Sequence, residues 1–169
     1  MNIRTNIPVE KDGRFLDAGK AGHLAGGAPR TATVLVQLAV DAIDQTILKP
    51  PSPDAISPCS QARAVLGLLV NCYLHQIYSS RKAAELAAHD PEFPWFWWED
   101  YPDAPVVRRF REENSVMIHQ CLTNALHLMA EEQNKFAGTI NKINGQHARE
   151  ASRRITMASY VDSMELDWE

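Results

Sequence analysis

Apolar residues recur at helical spacing through most of this chain, in blocks separated by proline, glycine and acidic residues, and no block alternates apolar and polar residues in the manner of a strand. From residue 31, Val34, Leu38, Ile43 and Ile47 sit near helical spacing. Leu35, Ala39, Val40 and Ala42 fill in beside them, with Asp41, Asp44 and Gln45 on the polar side. This pattern predicts a helix over 31–48 packed on a core. Lys49-Pro50-Pro51-Ser52-Pro53 ends it, because proline has no amide N–H and disfavours helical geometry in the residue before it. Residues 49–58 read as a stiff linker. The most apolar block, 60–77, has Val65, Leu68, Leu69, Cys72 and Ile77 on one face and Leu66, Val70 and Leu74 on a second. A helix apolar on more than one face belongs at the centre of its domain.

Ser79 or Ser80 then caps a short helix over about 81–89, with Ala83, Ala84, Leu86 and Ala87 inward and Asp90-Pro91 as its stop. Residues 92–102 concentrate Phe93, Trp95, Phe96, Trp97, Trp98 and Tyr101, an aromatic knot expected to plug the open end of the core. Asp103 is a good N-cap for a helix over 104–113, with Pro105 in its tolerant first turn. Asn114 or Ser115 opens a longer helix to about 136, with the stripe Met117, Ile118, Cys121, Leu122, Ala125, Leu128 and Met129. A weak link at 138–145 precedes a last helix, about 147–164, and an acidic end from Asp162 to Glu169. The expected fold class is all-α: a compact multi-helix bundle with a helix-turn-helix-like core. Its organisation is a flexible N-terminal arm at 1–30, a helical domain at 31–136, and a C-terminal helix with an acidic tail at 137–169.

Composition narrows the function classes. The 169 residues are enough for one domain with a real core. A formal net charge of −4 confines any contact with a polyanion to a local basic patch. Cys59, Cys72 and Cys121 make no disulfide framework, and the last two fall inside apolar helical patterns, which suggests a reducing cytoplasm. Residues 1–10 are polar, so no signal peptide is expected. The longest apolar run, 64–70, is far too short to span a bilayer, so no membrane partner is expected either. Cys72 with His75, and His119 with Cys121 and His127, do not match zinc-site spacing, and no metal or cofactor is expected. Phosphate-loop, nucleophile-elbow and paired acid–base motifs are missing from the sequence.

Three groups of cations carry the candidate chemistry. Arg81 and Lys82 follow two serines at a helix start, where hydroxyls, unsatisfied amide N–H groups and cations together make a phosphate clamp. Cations are mildly unfavourable at that helix end, which argues for a purpose beyond an ordinary capped surface helix. Arg108 and Arg111 share a helix face at i, i+3, with Arg109 beside them and Phe110 turned to the core. The later helix of a helix-turn-helix presents such side chains to phosphates and base edges. The competing reading is i, i+4 pairing of Arg108 with Glu112 and Arg109 with Glu113. Arg111 has no acid four residues on and is the strongest single candidate. Arg149, Arg153 and Arg154 form an additional basic stretch, suited either to a DNA backbone or to pairing with the acidic C-terminal end. The tryptophans are flanked by acids that would repel phosphates, so they are read as core.

Residues 58–111 resemble the N-terminal helical domain of DDE-type insertion-sequence transposases, which precedes an RNase H-like catalytic domain. Three pieces carry the likeness. The first is the helix opening at Pro58 and running through Leu66-Gly-Leu-Leu-Val-Asn-Cys-Tyr-Leu. The second is Ile77-Tyr-Ser-Ser-Arg-Lys-Ala-Ala-Glu-Leu followed by Asp90-Pro-Glu-Phe-Pro-Trp-Phe. The third is Pro102-Asp103 followed by Arg109-Phe110-Arg111. Ala104, Pro105 and Val106 depart from the polar His-Ser-Thr of the family, and Arg108 stands where a small polar residue is usual. The resemblance implies recognition of duplex DNA, in that family the terminal repeats of a transposon, with Arg81, Lys82, Arg108, Arg109 and Arg111 as contacts. Residues after Arg111 read helical, so the RNase H-like domain and its metal-binding carboxylates are not expected here. Adjacent pairs such as Glu112/Glu113 and Glu131/Glu132 point about 100° apart on a helix, a poor Mg²⁺ clamp. The expectation is a non-catalytic, transposase-related DNA-binding protein of the cytoplasm, associated with the nucleoid, with a homodimer as a further candidate partner. A catalytic role would need a second chain to supply the carboxylates. The alternative is a helical protein-interaction or dimerisation module without DNA binding, using the 115–136 and last helices.

Overall fold

Helix dominates the described residues of the computed structural model, which are 31–51, 58–89, 101–137 and 145–166. They form α1 (Ala32–Asp41), α2 (Pro58–Leu74), α3 (Ser80–His89), α4 (Ala104–Glu113), α5 (Ser115–Ala137) and α6 (Gln146–Leu166), with a 3₁₀ turn at Gln45–Ile47 and no strand. The protein is an all-α bundle, as the spacing of its apolar residues predicts. The arm at 1–30, the bulk of the aromatic knot and the 138–144 link lie outside the described residues. Of the knot, only Tyr101 and Pro102 are described, the first exposed and the second buried.

α2 is the central helix. Ala62, Val65, Leu66, Leu68, Leu69, Val70, Cys72 and Tyr73 are all buried, so it is covered on nearly every side. α1, α3, α4 and α5 each contact it, and α6 packs along α5. Burying a leucine- or valine-sized side chain stabilises by about 1.5–3 kcal/mol, so this one helix supplies much of the drive for collapse. Val107 and Phe110 of α4 and Ile118, Cys121, Leu122 and Ala125 of α5 complete the same cluster, together with Ala151 and Ala158 of α6. The last helix, set apart in sequence by the link at 137–145, therefore shares the core of the helices before it. Burial pushes the thiols of Cys72 and Cys121 up to about 12, as expected of cysteines acting as small hydrophobes.

Local chemistry sets the helix ends. The single helix expected over 31–48 breaks after Asp41. Asp44 accepts hydrogen bonds from the N–H (3.0 Å) and hydroxyl (2.7 Å) of Thr46, starting a separate 3₁₀ turn. The buried face of α1 is Leu35, Val36, Ala39 and Val40, whereas Val34, Leu38 and Ile47 face outward. α2 ends at Leu74, short of the expected Ile77. There Gln76 takes a left-handed conformation (φ 61°), its N–H donates to Tyr73 O (3.2 Å), and the Ile77 N–H reaches back to Cys72 O (2.8 Å). This is the Schellman arrangement, with glutamine where glycine is usual. α4 has the expected limits, with the Asp103 carboxylate accepting from the Val106 N–H (2.8 Å). Asn114, buried between α4 and α5, accepts from the Lys49 N–H (2.8 Å) and donates to Lys49 O (3.2 Å) and Phe110 O (3.0 Å). One side chain thus fastens the proline-rich segment to the α4–α5 joint.

Candidate nucleic-acid interface

The N-terminus of α3 lies against the C-terminal half of α4, with Ser80 beside Arg111. Residues 90–103 connect them, a longer passage than the three- or four-residue turn of a simple helix-turn-helix. Ser79 is the N-cap: its hydroxyl accepts from the Lys82 N–H (3.1 Å). Ser80, the first residue of the helix, is buried and spends its polar groups on a carboxylate from the far end of the chain. Its N–H donates to Asp162 Oδ1 (2.8 Å) and its hydroxyl to Asp162 Oδ2 (2.5 Å).

Asp162 is also bonded by the guanidinium of Arg111, and the Nε of Arg108 lies 3.5 Å from it. Arg111 is 3% exposed and Asp162 2%. Burial works to raise the pKa of Asp162, but the two bonds from Ser80 and the Arg111 charge outweigh it, and the carboxyl is held below its usual range. For Arg111, burial works to lower the pKa, and Tyr73 and Asp162 reverse it to a net rise. Both groups are therefore charged at neutral pH. Tyr73 of α2 completes the cluster from below. Burial raises its hydroxyl pKa strongly, with Arg111 acting in the opposite sense.

The eight cations expected to contact DNA fall into different situations. Arg81 and Lys82 are exposed, directly after Ser80. Arg108 and Arg111 do share a face, but it is the face turned to Asp162. Arg111, expected to be the leading surface contact, is a buried structural ion-pair partner, and Arg108 is half-buried. Arg109, exposed on the next face of α4, donates to Pro51 O (2.6 Å) and so pins the proline-rich segment.

The last-helix arginines divide in the same way. Arg149 is exposed. Arg153 and Arg154 both bond Glu150, at 2.7–2.8 Å, and these bonds hold the Glu150 carboxyl down to about 2. Arg154 reaches further, donating to Tyr73 O (2.8 Å), which also accepts from the Gln76 N–H, and to Leu74 O (3.4 Å), two carbonyls at the end of α2. It is a cap for another helix.

Asp162 and Tyr73 are the site residues that sequence reasoning does not single out. Asp162 carries a readable signal: Ala151, Ile155, Ala158 and Asp162 follow i, i+4, i+7, i+11, so an acid sits on the inward stripe of α6. A carboxylate there requires a buried cation or donor set. Tyr73 carries no comparable signal, since nothing separates it from any other aromatic on an apolar helix.

Among the described residues, no group of three or more His, Cys, Asp and Glu side chains is placed to hold a metal ion, and no helix is long and apolar enough to cross a membrane. Comparison with protein-family models, with curated proteins and with solved structures finds no match to this chain.

Proposed function

We propose that the protein is a non-catalytic DNA-binding protein, related to the N-terminal helical domain of DDE-type transposases and acting in transposition, DNA recombination or their regulation. The observation that carries this reading is the meeting of two basic segments at one end of the α3–α4 pair. Ser79-Ser80-Arg81-Lys82 and Arg108-Arg109-Phe110-Arg111 are the segments on which the resemblance rests, and Ser80 and Arg111 are hydrogen-bonded to each other (3.3 Å). Their donors already gather around an anion, the Asp162 carboxylate. A helix start bearing hydroxyls, N–H groups and arginines is the donor set that DNA phosphates use. Arg81 and Lys82 supply the exposed part of the contact, with Arg109 and Arg149 as outlying cations. On this reading the protein works in a reducing cytoplasm and associates with the nucleoid.

Fluorescence anisotropy of a labelled duplex, titrated over a range of salt, tests the reading. Neutralising about three to five phosphates gives a slope of log K against log salt of roughly −3 to −5. Affinity that ignores salt, or no binding at about 50 mM salt, counts against it.

A second reading, a protein-interaction or dimerisation module, is favoured by a separate observation. Met157, Tyr160 and Met164 lie exposed along one side of α6 at i, i+3, i+7, and Leu166 is exposed near its end. Sedimentation of the wild type beside a Met157→Ser/Tyr160→Ser/Met164→Ser variant tests it. A dimer that is absent in the variant, together with no affinity for DNA, would favour this reading over the first.

A further inference from the structure

The anion at the start of α3 is the protein's own, and it does not use up the donors around it. Two guanidiniums face one carboxylate, with Ser80 adding an N–H and a hydroxyl. Among the described residues, three buried donor groups have no hydrogen-bond partner, the Nε of Arg108, the Nε of Arg111 and the hydroxyl of Tyr73, against one such acceptor, Oε2 of Glu165. Tyr73 is 1% exposed, and its hydroxyl lies close enough to Arg111 and Asp162 to sense both charges. Buried donors normally find acceptors. A phosphate group presents more acceptor oxygens than a carboxylate, arranged around a tetrahedral centre, and so matches this surplus of donors better than Asp162 does.

The helix end carrying Asp162 has few apolar anchors. Ala151 and Ala158 are the buried apolar side chains of α6, and both precede Asp162. Beyond Ala158, Tyr160, Met164 and Leu166 are exposed and Val161 is half-buried. The last turns are therefore secured chiefly by the polar contacts of Asp162, and they can open where another anion takes those contacts over.

The geometry points to an autoinhibitory contact in which the Asp162 carboxylate occupies the place of a DNA phosphate at the N-terminus of α3, and DNA binding displaces it together with the last turns of α6. This inference rests on the DNA-binding reading and deepens it. Release removes Asp162 from the face and uncovers Arg108 and Arg111 next to Arg81 and Lys82. A surface that presents two exposed cations at rest then presents four.

The test uses the full chain, as wild type and as Asp162→Asn, with one labelled duplex in a salt titration. The variant is expected to bind about tenfold more tightly, with a salt slope steeper by about two as two guanidiniums are freed. A variant with wild-type circular dichroism that binds no more tightly, with an unchanged slope, overturns the inference and leaves the DNA reading standing. Absence of DNA binding by both proteins overturns the DNA reading and this inference with it. Hydrogen exchange on the wild type decides the matter if the variant fails to fold. On adding DNA, amides at 159–166 are expected to exchange faster while those at the start of α3 slow down. Unchanged or increased protection of 159–166 in the complex overturns the inference.

Discussion

Arg111 of α4 and Asp162 of α6, 51 positions apart in the chain, form an ion pair in which both side chains are almost entirely buried. The pair joins the basic helix to the last helix through the start of α3, because Ser80 bonds the same carboxylate. It changes the meaning of the strongest basic residue in the sequence. Arg111 is paired inside the molecule, and Arg81 and Lys82 are exposed beside it.

Removing one member of such a pair leaves the other charged and unpaired in the interior, which costs about 3–5 kcal/mol. Arg111→Met and Asp162→Leu are each expected to lower stability by that order in urea unfolding. The double variant should lose clearly less than the sum, because neither charge is left alone. Strict additivity would mean that the two residues do not depend on each other.

The same carboxyl makes stability depend on pH. Its folded pKa lies below its unfolded value of about 3.9, so its contribution is fully present above that value. The contribution is lost as pH falls from there through the folded pKa. Thermal unfolding of the wild type should show this acid-side loss, and Asp162→Asn should remove that part of the dependence. An identical acid profile in the variant would assign the loss to other carboxyls.

Arg154 is expected to matter as a helix cap. Arg154→Ala removes a donor from Tyr73 O, which keeps the Gln76 N–H, and one from Leu74 O, and a loss of about 1–2 kcal/mol follows from the lost charge-assisted bonds at the helix end. Arg153→Ala, which removes a surface pairing with Glu150, should change stability by less than about 0.5 kcal/mol. Equal effects of the two substitutions would contradict the capping role.

Gln76 offers a stabilising substitution. Its left-handed backbone (φ 61°) is one that glycine adopts without strain. Gln76→Gly should therefore raise stability, by up to about 1 kcal/mol, the strain relief exceeding the added freedom of the unfolded chain. A fall in the melting temperature would show that the Gln76 side chain makes a compensating contact.

Most of the fold is legible in the sequence. The apolar faces of α2 and α5, Asp103 ahead of α4 and the serines ahead of α3 state their roles through spacing and capping chemistry. The break in α1 is harder to see, because Ile43 and Ile47 continue the period and only the short-range bonds of Asp44 end the helix. The candidate site is legible in its parts and not in its assembly. Val107, Phe110 and Arg111 fall at i, i+3, i+4 on α4, which already puts Arg111 on the inward stripe, and Asp162 falls on the inward stripe of α6. Each is an anomaly alone. That they satisfy each other is a tertiary fact, fixed by how α6 lies across the bundle and not by anything local to either helix.

The claim that the start of α3 contacts DNA is tested most directly by comparing the wild type with Arg81→Ala/Lys82→Ala in a duplex-binding salt titration. Both substituted side chains are exposed, and circular dichroism of the variant checks that the fold is kept. The account predicts weaker binding of the variant to all duplex sequences and a salt slope shallower by about two, one for each phosphate that is no longer neutralised. An affinity and slope equal to those of the wild type would contradict it.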